Sequence, residues 1–189
     1  NSRRFIKKNF DNIYSIQEKF KEIEIIYIDN NSSDNSYEIL KKKISLIKNI
    51  RIYKANKKKM RSPGVARNLG LIKSKSKYIL FLDIDDYLEI KNLKKIINFL
   101  KTYKPNITYL KKKSKSISAP YIEYSKYNLE KFFNNTNNME AHAIIFNKEF
   151  LTRNKITFFS NIYEDIFFIF KTHFYNKKKI CFFSDIIYH

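Results

Sequence analysis

The sequence predicts an α/β fold, a mainly parallel Rossmann-like sheet with helices on both faces, and three observations carry that prediction. Short β-branched runs at Ile23 to Ile28, Ile50 to Tyr53 and Tyr78 to Leu82 are almost continuously apolar, as strands buried on both faces are. Each is followed by a polar turn and then by apolar residues at helical spacing. The chain has 189 residues, enough for one core without disulfides or a structural metal.

Taken in order, Ile6, Phe10 and Ile13 make the first twenty residues an amphipathic helix. The strand Ile23 to Ile28 ends at Asp29. The turn from Asn30 to Ser36 is dense in N-cap residues, and Ile39, Leu40, Ile44 and Ile47 then mark a helix. After the strand Ile50 to Tyr53, Ser62 and Pro63 supply a cap and a first-turn proline for a helix through Ile72. Tyr78 to Leu82 runs into Asp83-Ile84-Asp85-Asp86, and a helix follows through Leu93, Ile96, Ile97 and Leu100. Beyond Pro105 the pattern gives a strand at Ile107 to Leu110, a loop from Lys111 to Ser118 and a strand from Ala141 to Phe146. A helix from Tyr163 to Tyr175 and a last strand at Ile180 to Phe183 complete it.

Composition excludes several classes. The single cysteine, Cys181, has no partner within the chain, and His142, His173 and His189 are too scattered for a zinc finger. No apolar run approaches the roughly 20 residues that span a bilayer, and no secretion signal opens the chain, so a cytoplasmic setting is expected. The net charge of +20 invites a nucleic-acid or anionic-membrane reading. The lysine tracts are spread along the chain, and no base-stacking motif accompanies the fourteen tyrosines, so nucleic acid is not the expected partner. Peripheral attraction to anionic lipid remains open, at about 1 kcal/mol per well-placed cation.

In open α/β sheets ligands bind outside the carboxyl ends of the strands, where both acidic turns lie. With only Gly64 and Gly70 in the chain, neither a P-loop nor a G-x-G-x-x-G turn can be built. Asp83-x-Asp85 offers two carboxylates from one strand end, hard ligands suited to Mg²⁺ or Mn²⁺. The same spacing also serves a helix cap with solvated neighbours. Arg67 and Asn68 can present a guanidinium and an amide to a diphosphate or sugar, or form an exposed helix face. Glu164-Asp165 opens a helix, where negative charge is stabilising without any chemistry.

Three segments in order, Glu24-Ile-Ile-Tyr-Ile-Asp29-Asn-Asn-Ser-Ser-Asp34, Gly64-Val-Ala-Arg67-Asn68-Leu-Gly70-Leu and Tyr78-Ile-Leu-Phe-Leu-Asp83-Ile-Asp85-Asp86, resemble the family-two glycosyltransferases. Glu164-Asp165 matches the E-D pair that those enzymes carry further on. The resemblance implies a GT-A fold over residues 1–189, with a nucleotide-binding half at 1–110 and an acceptor-binding half at 111–189. It implies inverting transfer of a sugar from a nucleotide diphosphate, usually UDP, to a hydroxyl of a glycan or lipid-linked saccharide, with Mn²⁺ or Mg²⁺ as cofactor.

By position, the resemblance places Asp29 and Asn30 at the base, Asp83 at the ribose, Asp85 at the metal and Arg67 and Asn68 at the donor. Asp86 supports the turn. Asp165 is implied as the catalytic base and Glu164 as an acceptor contact. His189, ending an Ile-Ile-Tyr-His run, is a third metal ligand or a strand-end histidine. Two departures stand out: Asn30 replaces the usual second aspartate and Asn31 the usual glycine. Family members also open with a strand of the type V-S-V-I-I-P-x-Y-N, whose last residue would be Asn1, so that strand is missing from this sequence. The alternative reading keeps the fold without turnover, as a silent nucleotide-sugar or anionic-surface binding domain.

Overall fold

The computed structural model describes residues 2–45, 47–56, 62–112, 141–159, 163–178 and 180–188. The elements are α1 (Arg3–Lys19), β1 (Ile25–Asp29), α2 (Ser36–Ile44), β2 (Ile50–Lys54), α3 (Pro63–Lys73) and β3 (Tyr78–Leu80). They continue as α4 (Ile90–Tyr103), β4 (Ile107–Lys112), β5 (Ile144–Asn147), α5 (Lys148–Arg153), α6 (Glu164–Tyr175) and β6 (Cys181–Tyr188). The short helix α5 was not expected from the sequence. The Asn147 side chain caps it by accepting from the Phe150 N–H at 3.2 Å.

The strands form two sheets, a parallel pair β1-β2 and a four-stranded sheet in the order β3-β5-β4-β6. In the larger sheet β3, β4 and β6 share one direction, and β5 runs against both of its neighbours. Alternate residues of β5 and the turn before it face opposite sides: Ile144 and Phe146 join one apolar cluster, Ala143 and Ile145 the other. The first cluster takes Leu71 from α3, Leu151 from α5 and Phe168 from α6. The second takes Ile13 from α1, Ile44 from α2 and Leu93 from α4. Helices therefore cover both faces.

Glu24 ties the starts of β1 and β3 together. Its carboxylate accepts from the Lys75 N–H at 2.8 Å and from the Ser74 and Ser76 hydroxyls at 3.1 Å, and it pairs with Arg51 of β2. Four groups on one carboxylate fix where both strands begin, and hence where both end. The polar turn after β1 does more than start α2. Asp34 accepts from the Arg3 N–H at 3.0 Å and the Ser36 hydroxyl accepts from the Ser2 N–H at 3.2 Å, so the turn caps α1 from a distance. The hydrogen bond from Ser36 is the main reason the Asp34 pKa is lowered to about 2.

Two helix starts follow the sequence closely. Ser62 accepts from the Val65 N–H at 3.4 Å and Pro63 occupies the first turn of α3. Gly64 allows that turn to lie against the α6 region, since a Cβ there would stand 2.6 Å from the Phe159 carbonyl oxygen and 2.9 Å from the Phe158 Cβ. Among the described residues, no helix is long and apolar enough to cross a membrane.

Candidate active site

The ends of β1 and β3, the first turn of α6 and the turn before β5 meet at one edge of the molecule, and Arg67 of α3 stands at their centre. Its guanidinium reaches Asp165 at 2.5 Å and Glu164 at 3.4 Å on α6, and Asp83 at 3.5 Å after β3. The Phe158 ring lies 5.5 Å beneath it. Asp165 is held on both oxygens, because its other one accepts from the Ala141 N–H at 3.2 Å. Burial raises the Asp165 pKa above the usual carboxylate range, with Arg67 and the Ala141 N–H pulling the other way.

Asn68, the next residue on α3, is turned to the chain itself. Its amide donates to the Phe158 carbonyl at 2.8 Å and its oxygen accepts from the Phe158 N–H at 2.9 Å. Each end of the amide makes one of these bonds, so the side chain fixes the segment before α6.

At the end of β1, Asp29 is buried and both its oxygens accept from the Ser32 N–H at 3.3 Å. Asn30 donates to the Ser62 carbonyl at 3.1 Å. Asn31 has φ of 62°, the left-handed backbone that asparagine tolerates where the family has glycine. The buried side-chain oxygens of Asn30 and Asn31 have no hydrogen-bond partner among the described residues. A buried acceptor left unmet is costly.

The turn after β3 divides its labour. Asp86 accepts from the Tyr188 hydroxyl at 2.6 Å, and Asn9 of α1 donates to the Asp86 carbonyl at 3.3 Å, so this residue anchors the turn. Burial raises the Asp86 pKa. Asp85 is exposed and makes no hydrogen bond or ion pair among the described residues. Among those residues no group of three or more His, Cys, Asp or Glu comes together as a metal site. The donor set at this turn is therefore one unengaged carboxylate, Asp85, with Asp83 beside it on Arg67. A hard divalent ion that keeps water and phosphate oxygens as its other ligands suits such a pair. His189 lies outside the described residues.

Two residues of this edge escaped the sequence reading. His142 pairs with Phe81 as an isolated bridge, stacks on Tyr188 at 5.5 Å and faces both Asp86 and Asp165 electrostatically. Tyr188 holds Asp86. The signal for His142 was its place at a strand end. Which end of the sheet that was depended on the reversed direction of β5, which periodicity does not show.

Comparison with known proteins places the fold and the edge in context. The model of glycosyl transferase family 2 matches residues 1–178, and the chain belongs to that family. It is 32% identical over 160 residues to the poly(ribitol-phosphate) beta-N-acetylglucosaminyltransferase TarP of Staphylococcus aureus, covering 79% of this chain and 47% of that protein. It is 31% identical over 128 residues to the Escherichia coli UDP-Glc:alpha-D-GlcNAc-diphosphoundecaprenol beta-1,3-glucosyltransferase WfaP, covering 65% of this chain and 43% of that protein. The chain thus spans less than half the length of either relative. S. aureus TarS 1-349 in complex with UDP superposes with a TM-score of 0.79 at 20% identity, over 100% of this chain and 56% of that one. A mannosyltransferase from Pyrobaculum calidifontis in complex with GDP-Man and Mn²⁺ gives 0.69 at 15% identity, over 97% of this chain and 52% of that one. The fold is GT-A.

Proposed function

We propose that this chain is the catalytic region of a glycosyltransferase that moves a sugar from a UDP donor to a hydroxyl, with inversion, in the building of a bacterial surface glycan or lipid-linked saccharide. One observation carries the reading: a single guanidinium, Arg67, spans from Asp83 at the end of β3 to Asp165 at the start of α6. On this reading the ends of β3 and α6 are the two walls of one cleft.

Asp29, Asn30 and Asn31 would take the nucleobase. The unmet oxygens of Asn30 and Asn31 are acceptors, and the imide N–H of uracil would meet one of them. Asp83 would meet the ribose and Asp85 would hold Mn²⁺ or Mg²⁺. When bound, that cation supplies neutralisation of the charge that grows on the departing diphosphate. Arg67 adds a second positive charge within reach of the same place. Asp165 would take the proton of the acceptor hydroxyl as its oxygen attacks from the face opposite the leaving nucleotide. Its burial raises its proton affinity and so makes it a better base. Glu164 would contact the acceptor. On this reading residues 1–110 serve the donor and residues 111–189 the acceptor, and the chain works on the cytoplasmic face of a membrane with peripheral contact to its lipid and without nucleic acid. The names of the relatives, a UDP-glucose enzyme acting on a diphosphoundecaprenol saccharide among them, support the substrate class.

A second reading, a silent binding domain, draws on the ion pairs that occupy Asp165. Thermal melting separates the two together with a turnover assay. UDP at about a hundred times its dissociation constant adds roughly 2.7 kcal/mol, and each kcal/mol moves the midpoint of a domain of this size by about 2 to 4 °C. A Mn²⁺-dependent shift with UDP that disappears in Asp85→Ala supports the donor site. UDP release from a UDP-sugar that is lost in Asp165→Asn supports turnover. No shift with any nucleoside diphosphate sinks the transferase reading, and binding without UDP release leaves the silent domain.

A further inference from the structure

Five of the exposed large apolar side chains among the described residues, Tyr163, Ile166, Phe167, Phe174 and Tyr175, lie on or beside α6. Tyr163, Phe167, Phe170 and Phe174 follow one another at helical spacing on the side opposite the buried Phe168, Ile169 and Thr172. Tyr163 is 63% exposed, Phe167 45% and Phe174 62%. Phe159, 44% exposed, extends the stripe by an edge-on contact with Phe167 at 5.5 Å. A helix that met only water would carry charge on such a face, and burying these rings would remove a large apolar area from solvent.

The surroundings of the stripe are cationic. Lys171 lies in it with its ammonium 4.6 Å from the Phe159 ring, and the exposed Lys177 and Lys178 follow its end. The stripe holds no carboxylate, since Glu164 and Asp165 point to the site side of the same helix. Aromatic side chains flanked by lysines, on a chain of net charge +20, are complementary to the headgroup region of an anionic bilayer.

We propose that the Tyr163 to Phe174 face of α6 is the surface by which this protein lies on an anionic membrane. This rests on the peripheral-membrane part of the proposed function and names the face responsible. It has a geometric consequence: α6 begins at Glu164 and Asp165, so the helix that touches lipid also carries the candidate base. Asp165 itself stands on the site side of α6, away from the lipid-facing stripe.

The test is sedimentation with phosphatidylcholine vesicles, with and without phosphatidylglycerol, using wild type and the double variant Phe167→Ser/Phe174→Ser. Both side chains are exposed, and an unchanged melting temperature and UDP shift show that fold and donor site survive. Wild type should bind the anionic vesicles, and the double variant should bind about tenfold or more weakly although its charge is unchanged. Equal binding by both proteins means that charge alone holds the chain on lipid and overturns the proposal. No binding by wild type overturns it together with the peripheral-membrane reading but leaves the UDP result standing. If wild type proves to be a dimer in sedimentation velocity and the variant a monomer, the face belongs to a second copy and the proposal fails.

Discussion

Replacing Arg67 by Met tests whether one guanidinium holds the turn after β3 and the start of α6 together. The substitution leaves Glu164, with 9% of its side chain exposed, and Asp165, with 21%, facing each other without a cation. Breaking a buried pair costs roughly 3 to 5 kcal/mol. Asp83 is 46% exposed and recovers water, so about 2 to 4 kcal/mol is expected at pH 7. The pH dependence carries the sharper test. Asp165 already has a folded pKa raised by burial, and Arg67 works against that rise. A raised carboxylate binds a proton more readily folded than unfolded, so its penalty is largest at neutral pH and is relieved as pH falls through the folded pKa. Without Arg67 the folded pKa climbs further. The cost of the variant should therefore shrink between pH 7 and pH 5, by about 1 kcal/mol or more. Urea denaturation followed by circular dichroism at both values measures it. A variant as stable as wild type at pH 7, or one whose deficit grows on acidification, would refute the account of Arg67 as the counter-charge of these carboxylates.

Three further outcomes are expected. Asn68→Ala should lower stability by about 1 to 3 kcal/mol by stranding the Phe158 backbone groups, while the affinity for UDP in calorimetry stays near wild type. A large loss of affinity without loss of stability would give that amide a ligand role instead. Gly64→Ala should cost about 1 to 3 kcal/mol, because the added carbon meets the Phe159 carbonyl at 2.6 Å and backbone cannot yield as a side chain would. A melting temperature equal to wild type would show that the α3 and α6 region is looser than described. Buried His173, hydrogen-bonded to Tyr109 at 3.0 Å, has its pKa lowered to about 4, chiefly by burial. The unfolded chain then binds the extra proton first. Stability is lost as pH falls below about 6.5, reaching roughly 3 kcal/mol by pH 4. An imidazole that titrates near 6.5 by NMR would contradict that burial.

The sequence alone determined the order and type of most elements. The apolar runs mark the strands, although most residues of β1 and β2 are only half-buried, and the Ser62-Pro63 start of α3 needs no tertiary context because cap and proline act within one turn. It also marked the acidic strand end at Asp83 to Asp86 and, by resemblance, the distant Glu164-Asp165 pair. Only the tertiary structure decided how those residues are used. Arg67 bridges elements far apart in sequence, Asn68 spends both ends of its amide on Phe158, and the turn through Asp34 caps a helix that precedes it. His142 reached the site because β5 runs against its neighbours, which brings the start of that strand to the edge where β3 ends. Periodicity records which side of an element is buried. It carries no sign of the direction in which a strand is laid or of the partner that a polar side chain meets across the fold, because both are set by contacts between segments that the chain brings together only when it closes on its core.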